Sequence, residues 1–378
     1  MARANLRGIT WGHRRAIDPL LATLPAFRQR HPDINVDWSS RSLHGFEFTP
    51  VAALARDFDL IILDHPFAGD IVAQSCLRPL DDVLEPGSAF VGPSLETYRR
   101  EGRLWALPVD AACQVAVARP DLLAQLGWAA PGDWAEMTAL GKRARAQGLW
   151  LAIGLKGVHA LMTFFTFCAN LGHPCSQDRE APLVDRQTGL AALAALRELL
   201  SFCPPEALDW NSIALHEAMV ERDDLVYCPA VYCYATYAEA DIRKPLRFSD
   251  LPGLRGPNCT GSTIGGTGIG LSISCAEPAA ALAYIRYLGS PTTQKAFAVH
   301  HGQPAHLDAW EDPAIDARFG GCFSATRATM EAAWIRPRYA GYLKFQAKGG
   351  DLVEQHLRGE FSADELLDRL QALRRVRD

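Results

Sequence analysis

Short apolar segments recur along the first part of the chain, separated by longer stretches of mixed character. Residues 6–10 and 34–38 have the pattern of strands, and residues 59–63 form a continuous apolar run typical of a strand buried on both faces. Between the first two strands, apolar residues recur at helical spacing. The order strand, helix, strand, helix, strand predicts an α/β fold with an open parallel sheet.

The first predicted helix has its own start signal. Asp18 is a favourable N-cap residue, and Pro19 suits the first helical position. Apolar side chains follow at helical spacing from Leu20 to Phe27, and Pro25 predicts a kink within this helix.

A second α/β region follows Pro108. The pattern predicts strands within residues 115–117, 149–155 and 225–232, and helices within residues 133–144, 159–170, 188–200 and 211–220. Residues 241–267 are rich in Gly, Pro and Ser, so we expect the chain to change lobes there. Near the carboxyl end, Ser362 and Glu365 form a capping box that predicts the start of a last helix.

Length and composition limit the classes of function. A chain of 378 residues suits two lobes, because single cores rarely grow beyond about 250–300 residues. The net charge of −5 disfavours a nucleic-acid partner, which requires a basic face. No apolar run approaches the ~20 residues that a membrane-spanning helix needs. We therefore expect neither nucleic-acid binding nor membrane insertion.

Two features concern the compartment. The amino-terminal residues lack the apolar core of a secretory signal, so either the chain works in the cytoplasm or a signal has been removed. The ten cysteines are scattered without a C-x-x-C pair, and several lie in apolar runs. This arrangement favours reduced, buried thiols over a disulfide framework, and therefore favours the cytoplasm.

Catalytic and metal-binding motifs are missing from the sequence. It contains no G-x-S-x-G, P-loop or H-E-x-x-H motif. Neither the His300-His301 pair nor the cysteines have metal-ligand spacing. The glycines of residues 265–270 lack the helix that follows a dinucleotide-binding loop. We therefore expect no enzyme activity, no cofactor and no metal.

Three groups of segments are specific in their combined order and spacing. They are residues 59–64 (DLIILD) with 77–82 (LRPLDD); residues 102–108 (GRLWALP) with 119–123 (RPDLL), Pro131 and 134–136 (WAE); and residues 265–270 (GGTGIG) with Glu277, 290–294 (SPTTQ) and 302–304 (GQP). Together they resemble the extracellular solute-binding protein family 1, the ABC-transporter substrate-binding proteins that include the maltose-binding protein. Asp133 departs from the family's usual Thr, but both residues cap helices.

The resemblance implies a two-lobed, periplasmic-binding-protein-like fold of type II with a ligand cleft between the lobes. We expect residues 1–109 and 262–306 to form one lobe, and residues 110–261 and 307–378 to form the other. The implied function is binding of a small polar solute, a sugar or else an organic anion, for uptake through the permease subunits of an ABC transporter. The resemblance also implies a monomer in the periplasm, with the cytoplasm as the alternative.

Residues at the ends of the predicted strands are candidate ligand contacts. Trp11 and His13 follow the first strand, Arg41 follows the second, and Asp64 and His65 follow the third. Because the carboxyl ends of parallel strands meet at one edge of a sheet, we expect these side chains to line one wall of the cleft. A tryptophan ring can stack on a sugar, and an arginine can bind an anion.

Five further candidates come from the crossing segments and the second lobe. Asp110 follows the first crossing, where a carboxylate can accept hydrogen bonds from a ligand, and Tyr232 and Tyr234 follow a strand of the second lobe. Gly265 and Gly266 suit close backbone approach or a hinge. The tyrosines could equally belong to the core of the lobe.

Three other functions stay open at this point. A cytosolic ligand sensor or an enzyme could use the same scaffold. A ferric-ion-binding protein is the third, because His13, His65, Tyr232 and Tyr234 would form a set of hard ligands if the fold gathered them.

Overall fold

The computed structural model describes residues 3–84, 87–256 and 261–376. The chain forms two compact units. The first unit comprises the residues up to Ala112, Gly265–Asp316 and Arg338–Tyr342; the second comprises Cys113–Ile264, Ala317–Pro337 and the residues from Leu343 onward. The boundaries thus fall at residues 112, 264 and 316 rather than at the expected 109, 261 and 306, and residues 338–342 return to the first unit.

The strands differ widely in length. In chain order they are β1 (Ala4–Trp11), β2 (Ile34–Arg41), β3 (Leu60–Leu63), β4 (Leu77–Arg78), β5 (Arg99–Arg100), β6 (Arg103–Leu104), β7 (Leu107–Ala118), β8 (Trp150–Leu151), β9 (Leu225–Tyr232), β10 (Arg247–Ser249), β11 (Ser262–Ser272) and β12 (Ala333–Trp334).

The helices range in length from single turns to α1, which is the longest. In chain order they are α1 (Arg14–Arg30), α2 (Leu43–Phe48), α3 (Val51–Leu54), α4 (Ala68–Gln74), α5 (Ser94–Thr97), α6 (Pro120–Leu126), α7 (Trp134–Ala146), α8 (Val158–Asn170), α9 (Arg186–Leu200), α10 (Ser212–Glu221), α11 (Pro278–Gly289), α12 (Pro291–Val299), α13 (Leu307–Trp310), α14 (Pro313–Arg318), α15 (Cys322–Ala325), α16 (Arg327–Glu331), α17 (Tyr342–Leu357) and α18 (Ala363–Arg375).

The sheet of the first unit has a parallel core. Strands β2, β1 and β3 pair in that order in parallel, and β11 pairs with β3 in antiparallel direction. The apolar run in β3 is buried along its whole length, which agrees with a central strand covered on both faces. The α/β fold class expected from the sequence is confirmed.

The first helix begins earlier than its sequence pattern predicts. Helix α1 starts at Arg14, and Nδ1 of His13 caps it by accepting a hydrogen bond from the backbone N–H of Arg15 at 3.1 Å. The start predicted at Asp18 is therefore wrong, and the helix continues through Pro19 and Pro25. Its buried face packs on α11, where the ring of Phe27 lies 4.9 Å from that of Tyr284.

In the second unit, β9 pairs with β7 in antiparallel direction and with β8 in parallel direction. Strand β8 has two residues, whereas the pattern predicted a strand over residues 149–155. Beyond β8, the N–H of Ala152 still donates to Tyr227 of β9, whereas the N–H groups of Leu155 and Lys156 donate to the carbonyls of Ala207 and Trp210, outside the sheet. Helix α8 is buried on every face, which accounts for its apolar sequence.

Two predicted helix starts are confirmed. Oδ1 of Asp133 accepts from the N–H of Glu136 at 2.9 Å, and Oγ of Ser362 accepts from the N–H of Glu365 at 3.2 Å. Within the described ranges, no helix combines the length and the apolar character that a membrane crossing requires.

All nine described cysteines are buried, and none of them forms a disulfide; Cys259 lies outside the described residues. Burial raises the pKa of the Cys228 thiol to about 12 and that of Cys76 and Cys275 to about 11. Because the thiolate is the reactive form, these thiols are both shielded and protonated at neutral pH.

We expect iodoacetamide to label the nine described cysteines slowly in the native protein and completely after denaturation without reductant. Mass spectrometry of the labelled protein measures both. A denatured sample treated first with reductant is the control and should carry the same number of labels. A gain of two labels on reduction would contradict the expectation and indicate a disulfide; Cys233 and Cys322, with Sγ atoms 3.5 Å apart, are one pair close enough to be considered.

Candidate functional site

Several predicted contacts lie at one edge of the sheet in the first unit. The register pairs Trp11, the last residue of β1, with Arg41, the last residue of β2. Asp64 directly follows β3, and Gly268 in β11 pairs with Leu63. The parallel pairing therefore brings the carboxyl ends of β1, β2 and β3 together, as the sequence predicts, and this is where open α/β sheets bind ligands.

A small cavity opens at this edge. It is lined by Thr10, Trp11, Arg15, Ala16, Leu20, Ile62, Val109, Asp110, Thr267 and Phe297. It has room for about one water molecule or one ligand hydroxyl.

The most strongly held group at the cavity is an ion pair. Nε and Nη2 of Arg15 donate to Oδ2 and Oδ1 of Asp110 at 2.8 and 2.6 Å, and the residues are only 5% and 6% exposed. Burial raises the pKa of the Asp110 carboxyl, and the charge of Arg15 offsets part of that rise. Asp110 therefore has a structural role, in addition to the ligand contact that the sequence predicts for it.

Trp11 lines the cavity, although it is only 4% exposed. Its ring packs at 4.9 Å from the ring of Phe46 in α2. Its Nε1 is buried and has no hydrogen-bond partner in the described part of the chain, and the same holds for Oγ1 of Thr10. Buried polar atoms without a partner are rare, so these two groups are candidates for contact with a ligand.

Arg41 is the second arginine at this edge. Its Nη2 donates to the carbonyl of Ile62 at 3.2 Å, whereas Nε and Nη1 are buried without a partner among the described residues. Its guanidinium lies 5.5 Å from the centre of the Phe46 ring. Burial lowers the pKa of Arg41 to about 10.

Asp64 and His65 stand at the end of β3, but their exposure differs. Asp64 is partly exposed, and its Oδ1 accepts from the N–H of His65 at 2.8 Å and lies 3.0 Å from Nδ1 of the imidazole. His65 is fully buried. His13, the remaining histidine prediction, has its Nδ1 occupied as the cap of α1.

Tyr232 and Tyr234 belong to the second unit. Tyr232 is partly exposed, with its hydroxyl 3.5 Å from the carbonyl of Ile264, and Tyr234 is buried. The ring of Tyr234 lies 5.7 Å from His216, which stacks on Tyr237 at 5.0 Å. This aromatic cluster gives Tyr234 the core-packing role that the sequence left open.

Gly265 and Gly266 lie in β11, and both are partly exposed. Gly266 has φ +92°, and a Cβ there would lie 2.5 Å from the backbone oxygen of Asp110. Glycine at this position therefore permits β11 to approach β7 closely at Asp110.

No group of three or more His, Cys, Asp or Glu side chains that could hold a metal ion occurs within the described ranges.

Arg15, Thr10 and Ile62 are among the cavity residues that the sequence prediction missed. Arg15 was missed because the Asp18-Pro19 signal displaced the helix start, which hid the position of Arg15 in the first turn. Thr10 and Ile62 have an ordinary strand pattern, and only the register places them at the cavity.

A family model described as bacterial extracellular solute-binding protein matches residues 49–315, more than half of the chain. The fold is shared with the maltose-bound MalE3 of T. maritima (TM-score 0.84, 21% identity, 98% of each chain covered). It is also shared with an ABC transporter solute-binding protein of Thermotoga lettingae bound to α-D-tagatose (TM-score 0.84, 15% identity, 98% of this chain and 100% of that one). A third match is an Agrobacterium vitis solute-binding protein with bound D-mannitol (TM-score 0.73, 15% identity, 98% and 97% covered).

We expect Asp110→Asn to destabilise the protein by about 3–5 kcal/mol, because it leaves the buried guanidinium of Arg15 without its counter-charge. Urea unfolding monitored by circular dichroism measures the loss. The control is Asp37→Asn in β2, an exposed position where we expect a change within about 0.5 kcal/mol. Equal stability of the two variants would show that the ion pair contributes nothing.

Proposed function

The chain belongs to the bacterial extracellular solute-binding proteins, and on that premise we propose that it binds a sugar or sugar derivative at the carboxyl edge of the sheet in its first unit. The proposed contacts are the indole N–H of Trp11, the hydroxyl of Thr10 and the guanidinium of Arg41. The role is reversible binding for uptake, with no chemical conversion of the ligand.

The observation that carries this proposal is the set of buried hydrogen-bonding atoms that the fold does not pair. Oγ1 of Thr10, Nε1 of Trp11 and Nε of Arg41 lack partners in the described ranges. Leaving such a group unpaired costs about 1–3 kcal/mol. A ligand rich in hydroxyl oxygens recovers this loss, because each hydroxyl can accept from a donor and donate to a nearby carboxylate such as Asp64.

The size of the cavity limits how a ligand enters. Room for about one water molecule accommodates one hydroxyl group, and a whole sugar ring requires more space. We therefore propose that one hydroxyl occupies the cavity while the ring lies outside it. The MalE3, T. lettingae and A. vitis structures contain maltose, tagatose and mannitol, and each of these ligands has many hydroxyl groups.

The partner that this function needs is the permease of an ABC transporter, and the compartment is outside the cytoplasmic membrane, in agreement with the family description. The absence of disulfides among the nine described cysteines does not oppose this, because buried, protonated thiols oxidise slowly.

The test is a thermal-shift screen of sugars, sugar alcohols and their acidic derivatives, followed by calorimetric titration. A true ligand at a hundred times its Kd should stabilise the native state by about 2.7 kcal/mol and raise the melting temperature. If no compound of these classes raises it, the proposed function is wrong.

For the ligand identified, we expect Trp11→Phe to weaken binding roughly two- to tenfold, because the substitution removes one neutral hydrogen-bond donor and keeps an aromatic ring. The matched control is Trp38→Phe in β2, whose Nε1 already donates to the hydroxyl of Tyr284 at 3.0 Å. This control should alter the melting temperature and leave the Kd unchanged. Unchanged affinity of Trp11→Phe would remove Trp11 from the site.

A further inference from the structure

We propose that Arg41 binds an oxyanion of the ligand, a carboxylate or a phosphate, so that the physiological ligand is an acidic sugar rather than a neutral one. This inference rests on the proposed function and names the class of sugar.

The position of Arg41 is suited to this role. Strand β1 lies between β2 and β3, and Arg41 ends β2, yet its Nη2 reaches the carbonyl of Ile62 in β3. The side chain therefore crosses the end of β1, where Trp11 is its partner in the register. Ile62 and Trp11 both line the cavity, so the guanidinium lies beside residues of the cavity wall.

The charge of Arg41 is not balanced within the described part of the chain. No carboxylate lies within ion-pair distance of it there, and Nε and Nη1 are buried without a partner. Burial is the one cause of its lowered pKa, about 10, so the side chain is still a cation at neutral pH. A partly buried cation without a counter-ion is unfavourable, and an anionic ligand group relieves that cost.

At the same edge, Arg15 is an arginine whose charge is balanced by a carboxylate of the protein. Two of its nitrogens bind the two carboxylate oxygens of Asp110, and this pair is complete without a ligand. Arg41 has one carbonyl contact, and two of its nitrogens, Nε and Nη1, have no partner within the described ranges. The remaining carboxylate at the edge, Asp64, accepts the backbone N–H of His65, and its negative charge would repel an oxyanion, so the oxyanion must face Arg41 and not Asp64.

The guanidinium is also held in place before a ligand arrives. It lies 5.5 Å from the centre of the Phe46 ring, and that ring packs on Trp11 at 4.9 Å. Phe46 is in α2, whose first turn is fixed by Oγ of Ser42 accepting from the N–H of Gly45 at 3.1 Å. A fixed cation loses little conformational freedom on binding, which favours affinity. The indole N–H of Trp11 is a second donor for the same group.

The experiment compares sugars that share a carbon skeleton and differ in charge. Calorimetric titration of the unaltered protein uses D-glucose, D-glucuronate and D-glucose 6-phosphate, the corresponding galactose set, and inorganic phosphate alone. We expect one acidic sugar of a set to bind at least tenfold more tightly than its neutral counterpart, since a hydrogen bond to a charged group exceeds a neutral one. The carboxylate and phosphate arms identify which oxyanion is bound, and tight binding of phosphate alone would support the site without the sugar.

Variants then locate the effect. Arg41→Gln should reduce the preference for the acidic sugar to less than threefold, while Arg41→Lys, which keeps the charge, should retain part of it. Arg56→Gln, at an exposed position of the same unit before β3, is the matched control and should leave the preference intact. Melting curves without ligand show whether each variant is folded, and the comparison on the unaltered protein does not depend on them.

Three outcomes overturn the inference. If neutral sugars bind as tightly as acidic ones, the proposed function stands and this inference fails. If the acidic sugar is preferred but Arg41→Gln keeps that preference, the oxyanion lies elsewhere and Arg41 is not its site. If neither neutral nor acidic sugars bind, the proposed function fails and the inference fails with it.

Discussion

The buried ion pair between Arg15 and Asp110 fixes the geometry on which the candidate site depends. It ties the first turn of α1, the helix that follows β1, to β7, the strand beside β11. Helix α1 and strand β7 therefore cannot shift independently. Strand β7 is held on both sides of Asp110, because Gln294 donates to the carbonyl of Val109 at 3.2 Å and Gln303 donates to that of Ala111 at 2.8 Å. Hydrogen bonds within the protein therefore hold this wall of the cavity in place without a ligand.

In contrast to these paired groups, other polar groups at the same edge lack hydrogen-bond partners within the described residues. Thr10, Trp11 and Arg41 occupy the ends of two paired strands, and each has a buried polar atom that no described residue satisfies. A fold could avoid such costs by placing apolar side chains at these positions, as it does at Ile62 beside them. Under the proposed function, a ligand supplies the acceptors that these donors lack. Arg15 is paired with Asp110, whereas Arg41 has no carboxylate within ion-pair distance in the described part of the chain; under our proposal this difference selects among ligands by charge.

The sequence was sufficient for the parts of the fold that local rules govern. Alternation and apolar runs located β1, β2, β3 and β9, and the caps at Asp133 and Ser362 began α7 and α18 as expected. Local rules failed where tertiary contacts override them. Packing of Phe27 against Tyr284 and Tyr287 supports α1 through two prolines, so the Asp18-Pro19 signal did not mark its start. The contact of Tyr234 with His216 joins residues far apart in the sequence, and a Tyr-x-Tyr spacing does not reveal it.

Two glutamines from the motifs that carry the family resemblance form hydrogen bonds that hold the fold together. Oε1 of Gln294, from the segment SPTTQ, accepts from the N–H groups of Ala305 and His306, while its amide also reaches β7; Gln303, from GQP, binds Ala111. The family match begins at residue 49, after Trp11 and Arg41. Gln294 and Gln303 thus lie within the matched range, whereas Thr10, Trp11 and Arg41 lie outside it. The choice of ligand must then follow from the physical chemistry of those donors in this chain, and it cannot be taken from the sugars that structurally similar proteins bind.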